Sequence, residues 1–355
     1  MVELKWQNKS LLNLKIGKVE IGFPVVQAAL SGYSDWPMRM LARQFGAGYA
    51  LCEVMLDKFL IEVNTKRSKN GHLLYLERDH PVGGQLMGAE PKQFAAGAKK
   101  LVEAGFDIID INFGCPAKKV LGRCRGGFHL SQPKVALEII QRTREIVPDS
   151  IPVTIKMRRG LDDSSESKDH FFAILDGAFE AGIAGITVHG RTVEQRYKGP
   201  SNWAFLKEVK DYVGDKIILG SGDLFTPKDC LDMMAQTGVD GVTVARGAIG
   251  NPWIFAQALE MAKGRPCPDP PTLFEQRRVI TEHATLATQL YGDRAFTTLR
   301  KFFVRYAASH PEYVEVRNRF VKVKNWETLE ELFLGFYASD GPGAWAPPAI
   351  HQTQG

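Results

Sequence analysis

The sequence predicts an α/β protein, a (β/α)8 TIM barrel followed by a C-terminal all-helical domain. Two observations carry this prediction. Short apolar runs alternate eight times with amphipathic segments between residues 25 and 245, and the chain beyond residue 271 keeps helical patterning with no strand-like run. A doubly wound sheet is the alternative, but such a sheet usually has fewer strands and a switch point.

The predicted strands recur with regular spacing. They cover residues 25–30, 49–53, 82–86, 108–112, 153–156, 185–189, 217–221 and 241–245, and a short hairpin at 12–24 precedes them. The amphipathic segments 91–104 and 133–147 lie between strands, and each begins with a proline. Proline at the first helical position fits helix initiation, so both segments are predicted helices.

Composition divides the chain into four parts. Residues 1–263 form the barrel domain, 264–271 a Pro-rich linker, 272–339 a helical domain rich in Arg and Lys, and 340–355 a disordered tail. A repeated basic face can follow RNA phosphates and give salt-dependent affinity, although a solvated helix surface is the ordinary alternative. The formal net charge of +5 is compatible with nucleic acid without demanding it.

The overall composition excludes several classes of protein. With 44% hydrophobic and 24% charged residues, the chain is not mainly disordered. Its five cysteines are widely spaced and include no CxxC pair, which argues against a disulfide framework, a zinc ribbon or an iron–sulfur cluster. No apolar run approaches membrane-spanning length. We therefore expect a cytoplasmic monomer without a metal site or membrane contact.

One cysteine occupies a position typical of catalytic residues. Cys115 lies on a tight turn between Gly114 and Pro116, where the predicted strand 108–112 ends. Chemistry in α/β proteins is done at the carboxyl ends of strands, so Cys115 is a candidate reactive thiol rather than an ordinary buried cysteine. Four basic residues follow it and suggest a polyanion nearby: Lys118, Lys119, Arg123 and Arg125.

Other polar residues also stand at or just past predicted strand ends. They come from six strands and are Gln85, Asn112, Cys115, Lys156, His189, Ser221, Gly222, Arg246 and Gly247. The glycine-bearing turns at 217–223 and 242–250 follow the last two strands, where barrels usually bind phosphate. Lys156 and His189 would then lie over the ring system of a cofactor whose phosphate is bound at these turns. The alternatives are that Lys156 is a surface lysine and His189 a core histidine.

The motifs of the barrel resemble those of the dihydrouridine synthase family, flavoenzymes that reduce specific uridines in tRNA. The matching stretches are GQLMG (84–88), DINFGCPAKKV (110–120), VTIKMRRG (153–160), ITVHGRTVEQRYKG (186–199), GSGD (220–223) and VARGAIGNPWIF (244–255). The resemblance implies an FMN-bearing barrel with a helical RNA-binding domain, NADPH or NADH as reductant, and tRNA, or another structured RNA, as partner. No GxGxxG fingerprint follows a strand, which fits a nicotinamide that binds only transiently.

The resemblance also implies roles for individual residues. Cys115 is the general acid. The implied FMN-binding residues are Ala29, Gln85, Asn112, Lys156, His189, Ser221, Gly222, Asp223, Ala245, Arg246 and Gly247, and the implied RNA contacts are Lys118, Lys119, Arg191, Arg300 and Lys301. Hydride from flavin N5 to C6 of uracil leaves C5 in need of a proton, which a mostly protonated thiol can donate at neutral pH.

The chain departs from the family pattern at three places. The first strand ends in Ala28-Ala29-Leu30-Ser31-Gly32, the turn after strand seven reads Ser221-Gly222-Asp223, and a bulkier, basic segment at 124–129 follows the cysteine. These changes bear on which RNA site is modified. Three alternatives remain open: a flavin barrel acting on a free pyrimidine or small enone, a dihydrouridine synthase acting on rRNA, and a non-catalytic RNA-binding module.

Overall fold

A closed sheet of parallel strands lies at the centre of the molecule. The structure is a computed structural model that describes residues 13–62 and 79–346. Its parallel strands are β3 (Val25–Gln27), β4 (Ala50–Leu51), β5 (Met55–Leu56), β6 (Val82–Met87), β7 (Ile108–Phe113), β8 (Val153–Arg158), β9 (Gly185–His189), β10 (Ile218–Ser221) and β11 (Gly241–Val244). Because β4 pairs with both β3 and β6, the ring closes.

The predicted (β/α)8 barrel is confirmed, with one difference at the second strand. The predicted strand 49–53 is interrupted after Leu51, and the chain resumes pairing with β6 as β5. The second barrel position is thus filled by two short strands in succession. Strands β6 and β7 are buried along their whole length, as expected for parallel strands covered on both faces.

Helices surround the barrel and continue beyond it. The barrel helices are α1 (Trp36–Gln44), α2 (Asp57–Glu62), α3 (Pro91–Glu103), α4 (Lys118–Leu121), α5 (Pro133–Ile146), α6 (Ser165–Glu180), α7 (Trp203–Val213), α8 (Pro227–Thr237) and α9 (Trp253–Ala262). The two helices predicted from Pro91 and Pro133 are confirmed as α3 and α5, each with its proline in the first turn. None of the described helices is long and apolar enough to cross a bilayer.

A hairpin closes the amino end of the barrel. The predicted strands near residues 12–24 are present as β1 (Leu14–Ile16) and β2 (Val19–Gly22), which pair antiparallel. Leu14, Ile16 and Ile21 pack with Val26 and Tyr49 in an apolar cluster separate from the main core. This hairpin therefore forms a floor below the strands, and the carboxyl ends of the strands remain open.

The helical region packs directly on the barrel. It consists of α10 (Leu273–Tyr291), α11 (Ala295–Tyr306), α12 (Tyr313–Phe320) and α13 (Trp326–Phe336). Its buried aromatics Phe302 and Tyr306 belong to the same apolar core as the barrel residue Trp253. The Tyr291 hydroxyl donates to Asp35 Oδ2 at 2.8 Å, so the contact includes polar pairing with the loop before α1.

The described residues after α13 pair with the start of α10 and with the turn after α11. The Gly341 carbonyl accepts a hydrogen bond from Leu273 N at 3.0 Å, and Ala344 N donates to Ser309 O at 2.8 Å. A Cβ on Gly343 would lie 2.0 Å from the Pro271 carbonyl oxygen, so the chain approaches the linker closely. Residues 340–346 thus differ from the disordered tail predicted for 340–355, because the backbone groups of Gly341 and Ala344 find partners in Leu273 and Ser309. Residues 347–355 lie outside the described part of the chain.

Candidate functional site

A cleft of about 690 Å³ opens at the carboxyl ends of the barrel strands. Most of the sequence-predicted site residues line it: Ala29, Gln85, Asn112, Cys115, Lys118, Lys119, Lys156, His189, Ser221, Gly222, Asp223, Ala245 and Arg246. They meet because alternate side chains of parallel strands point inward at one end of a barrel. A volume of this size falls within the ~300–1,000 Å³ range of small-molecule and cofactor sites.

Hydrogen bonds connect the cleft floor to the cysteine turn. The Gln85 amide nitrogen donates to Asp110 Oδ2 at 2.8 Å, and the Asn112 amide nitrogen donates to Gln85 Oε1 at 2.8 Å. Asn112 Oδ1 in turn accepts the backbone N–H groups of Gly114 and Cys115, both at 3.0 Å. Asn112 therefore holds the backbone on which Cys115 is displayed.

Lys156 and His189 supply hydrogen-bond donors to the same cleft. Lys156 Nζ donates to Ser221 Oγ at 3.1 Å, and burial lowers its pKa to about 8, with the carboxylate of Asp110 opposing that shift. Burial and then neighbouring cations, Arg158 first, hold the pKa of His189 well below its usual value, so the imidazole is neutral. Its Nδ1 accepts the Arg191 N–H at 3.1 Å, which leaves the hydrogen on Nε2.

The turn after β10 is built around Asp223. Gly222 has φ +120° and Asp223 has φ 58°, and a Cβ on Gly222 would lie 2.3 Å from Ser201 Oγ. The Asp223 carboxylate accepts two hydrogen bonds from Arg191 Nη2, each at 2.8 Å, and one from Ser201 N at 2.7 Å, and it lies 3.6 Å from Arg246. Two guanidinium groups thus converge on one side of the cleft.

Arg191 does not occupy the exposed position that an RNA contact would need. Its side chain is 3% exposed, pairs with Asp223 and also donates to the Gly199 carbonyl. Gly247 does not line the cleft either, although it supports it, because a Cβ there would lie 2.2 Å from the Leu224 carbonyl oxygen. Both residues therefore shape the wall from behind.

Three further predicted RNA contacts occupy the rim or lie beyond it. Lys118 and Lys119 are exposed on α4 beside Cys115, and Arg300 is exposed on α11. Lys301 instead faces the barrel, donating to the Gly32 carbonyl with its ammonium 5.1 Å from the Tyr33 ring centroid. Arg125, one of the four basic residues expected to face a polyanion, is instead 8% exposed and lies 3.9 Å from the buried Asp57 carboxylate.

Arg158 and Tyr197 are among the cleft residues that sequence reasoning missed. Arg158 donates to the carbonyls of Gly114, Thr192 and Arg196 at 2.9, 2.8 and 2.7 Å, and burial lowers its pKa to about 10. The sequence did contain a sign of this position. Arg158 lies two residues after Lys156 on β8, so the two side chains point to the same face of the strand. The guanidinium groups of Arg158 and Arg246 both lie over the Tyr197 ring, 5.6 and 4.9 Å from its centroid. Tyr197 lies on a long loop, where no periodicity marks it.

Comparison with known proteins supports one family. The model of the family described as "Dihydrouridine synthase (Dus)" matches residues 26–334. A probable tRNA-dihydrouridine synthase of Rickettsia conorii is 32% identical, covering 92% of this chain and 97% of the relative. One from Mycobacterium tuberculosis is also 32% identical over 89% and 83%, and a tRNA-dihydrouridine synthase B of Xanthomonas campestris is 30% identical over 95% and 99%.

Solved structures support the barrel fold. Histamine dehydrogenase from a Rhizobium species matches with a TM-score of 0.53 at 16% identity, over 79% of this chain and 51% of that one. 2-Naphthoyl-CoA reductase matches with a TM-score of 0.56 at 13% identity, over 73% and 53%. This chain thus spans about half the length of each, and the likeness concerns the fold alone. The family model and the curated relatives, which cover nearly the whole chain, show that it belongs to the dihydrouridine synthase family.

Proposed function

We propose that the chain is an FMN-dependent tRNA-dihydrouridine synthase whose general acid is Cys115 and whose flavin is re-reduced by NADPH or NADH. The observation that carries the proposal is the convergence of Cys115, Lys156 and His189 on one cleft of a barrel whose sequence belongs to this family. The names of the relatives support tRNA as the substrate. The proposal makes this chain an oxidoreductase acting on a polyanion.

The donor set of the cleft fits FMN. Gln85, Asn112, Lys156 and the Nε2–H of His189 offer amide, ammonium and imidazole hydrogens, which suit the oxygen and nitrogen acceptors of a flavin ring. Arg246 and the glycine turn at Gly222 would hold the phosphate, with Gly247 supporting the wall behind them, since anions favour a fixed guanidinium and closely approaching backbone. FMN, when bound, would supply the hydride for C6 of uracil.

The residues around Cys115 would manage the proton. The thiol holds the proton that ends on C5 of the target base, and Asn112 fixes the backbone that directs the thiol. Arg158 binds the carbonyl of Gly114 and carries a positive charge close to the thiol, so it would stabilise the thiolate after proton transfer. Lys118 and Lys119 add exposed positive charge at the rim, where an RNA backbone would pass.

Two measurements test the proposal together. The absorbance spectrum of the purified protein should show a flavin band, and dihydrouridine mapping should show loss of the modification at particular tRNA positions in cells without the gene. A flavin band with an unchanged RNA profile, rRNA included, would favour the reductase of a free pyrimidine or small enone. Absence of flavin after reconstitution with FMN would contradict both enzyme hypotheses and favour an RNA-binding module.

A further inference from the structure

A buried carboxylate lies at the base of the hydrogen-bond path that ends at the cysteine turn. Gln85 on β6, Asp110 on β7 and Thr154 on β8 are register partners on neighbouring strands. Asp110 is 2% exposed, and its two oxygens accept from different neighbours, Oδ2 from Gln85 at 2.8 Å and Oδ1 from Thr154 Oγ1 at 2.6 Å. Only the bond to Gln85 continues toward Cys115.

The direction of every hydrogen bond on this path is fixed from both ends. Backbone N–H groups can only donate, so those of Gly114 and Cys115 require the amide oxygen of Asn112. The amide nitrogen of Asn112 must then donate to the amide oxygen of Gln85. The amide nitrogen of Gln85 is thereby left to donate to Asp110. An ionised carboxylate can only accept, so Asp110 satisfies that last demand.

We propose that Asp110 is a positioning residue, which fixes the amide orientation of Gln85 and Asn112 and through them the backbone of the Cys115 turn. The catalytic importance of that turn rests on the proposed function, but the hydrogen-bond geometry is independent of it. Each of the two amide nitrogens keeps a second hydrogen, and both residues line the cleft. Asp110 thereby also sets the direction of two donors that a ligand in the cleft would meet.

Asp110 can accept from Gln85 in either protonation state, because a protonated carboxyl group keeps an acceptor oxygen. Burial raises its pKa, and the hydrogen bonds from Thr154 and Gln85 and the charge of Lys156 act against that rise. Without this acceptor, the buried amide nitrogen of Gln85 would have no hydrogen-bond partner. An unsatisfied donor costs more free energy when it is buried than when water can replace the partner. Loss of the carboxylate should therefore break the path at its base.

Hydrogen exchange in the flavin-free protein tests the proposal. In Asp110→Leu, the amides of Gly114 and Cys115 should exchange about tenfold faster than in the wild type, because Gln85 and Asn112 are free to reorient. Thr154→Val is the matched control, since it removes the hydrogen bond to the other oxygen of the same carboxylate. It should leave exchange at residues 114 and 115 unchanged.

Two further variants guard the test. Should Asp110→Leu fail to fold, Gln85→Met breaks the same path one step later and should accelerate exchange equally. Asp110→Asn keeps an oxygen that can accept from Gln85 and should restore protection. Unchanged exchange in both Asp110→Leu and Gln85→Met, or equal acceleration in Thr154→Val, would overturn the proposal, as would an Asp110→Asn variant that exchanges as fast as Asp110→Leu. Neither flavin nor RNA is needed, so failure of the proposed function would be seen separately.

Discussion

Single side chains divide the work of the cleft between binding and proton transfer. Lys156 and His189 offer donors to a ligand, whereas Cys115 is the residue proposed to give its proton to the target base. The separation predicts that substitutions of these residues affect different steps.

Replacing the thiol should abolish the product while sparing the cofactor. In Cys115→Ala, FMN should bind as in the wild type and be reduced by NADPH or NADH, because the thiol is not among the predicted flavin contacts. Dihydrouridine formation should fall by about 10²–10⁴, the usual contribution of a general acid. Single-turnover assays that follow flavin reduction and tRNA reduction separately would check this. Equal loss of both half-reactions would contradict the assigned role.

Lys156 should lower the stability of the flavin-free protein, although it contributes to the proposed binding of FMN. Its pKa falls from 10.5 to about 8 on folding, so between those pH values the unfolded chain holds a proton that the folded chain lacks. The contribution of this group to the free energy of unfolding therefore rises with pH across that window. Urea denaturation at several pH values should show this rise in the wild type relative to Lys156→Met.

The same variant separates stability from binding. Below pH 8, flavin-free Lys156→Met should be at least as stable as the wild type, because the buried charge is gone. Its affinity for FMN should be lower by roughly tenfold, the loss expected for one hydrogen bond to a charged group. A variant that is both less stable and unchanged in FMN affinity would show that Lys156 has a purely structural role.

At the scale of elements, two neighbouring residues on α11 have different surroundings. Lys301 donates to the carbonyl of Gly32, in a loop whose residues Ser31 and Tyr33 line the cleft, whereas Arg300 is exposed. The helical region therefore supports one wall of the cleft as well as presenting charge to solvent.

A matched pair of substitutions should separate these roles. Lys301→Met should weaken FMN binding severalfold, because it removes a charged hydrogen bond to the loop that forms the wall. Arg300→Met should leave FMN binding unchanged but weaken tRNA binding, lowering its dependence on salt concentration by about one phosphate contact. Fluorescence titration with FMN and tRNA binding at several salt concentrations would distinguish them. The reverse pattern would restore Lys301 to the RNA surface.

The elements that sequence reasoning predicted well are those with strict local periodicity. Strand ends at Asn112, Lys156 and His189 follow from β-branched runs, and the structure gathers these three side chains with Gln85 in one cleft. Arg191 could not be placed in the same way, because its orientation depends on Asp223, 32 residues later. Lys301 depends on a loop 269 residues earlier. Partners so distant along the chain leave no local pattern.

At the scale of the whole molecule, the barrel and the helical region share one core. Phe302 and Tyr306 of α11 are almost completely buried, and Tyr33 and Trp253 of the barrel pack edge-on against them. A boundary at residues 264–271 is thus visible in the sequence, but the packing across it is continuous.

Shared packing predicts a single cooperative unfolding transition. Phe302→Ala should lower the stability of both parts by about 3–5 kcal/mol, as expected for a large buried aromatic side chain. Thermal unfolding followed by circular dichroism, with hydrogen exchange of barrel strands as a second probe, should report the same loss. Exchange in the barrel that is unaffected by Phe302→Ala would show that the two parts unfold independently.

The hairpin beneath the barrel leaves the cleft with one open side, and this affects the order in which substrates can bind. Since β1 and β2 close the amino end, a molecule that reaches the cleft enters and leaves by the face that carries Cys115. If the proposed function is correct, the nicotinamide and the RNA would have to bind one after the other through the same opening of the cleft. Steady-state rates should then follow double-displacement kinetics, with parallel lines in double-reciprocal plots and each substrate inhibiting competitively against the other at high concentration.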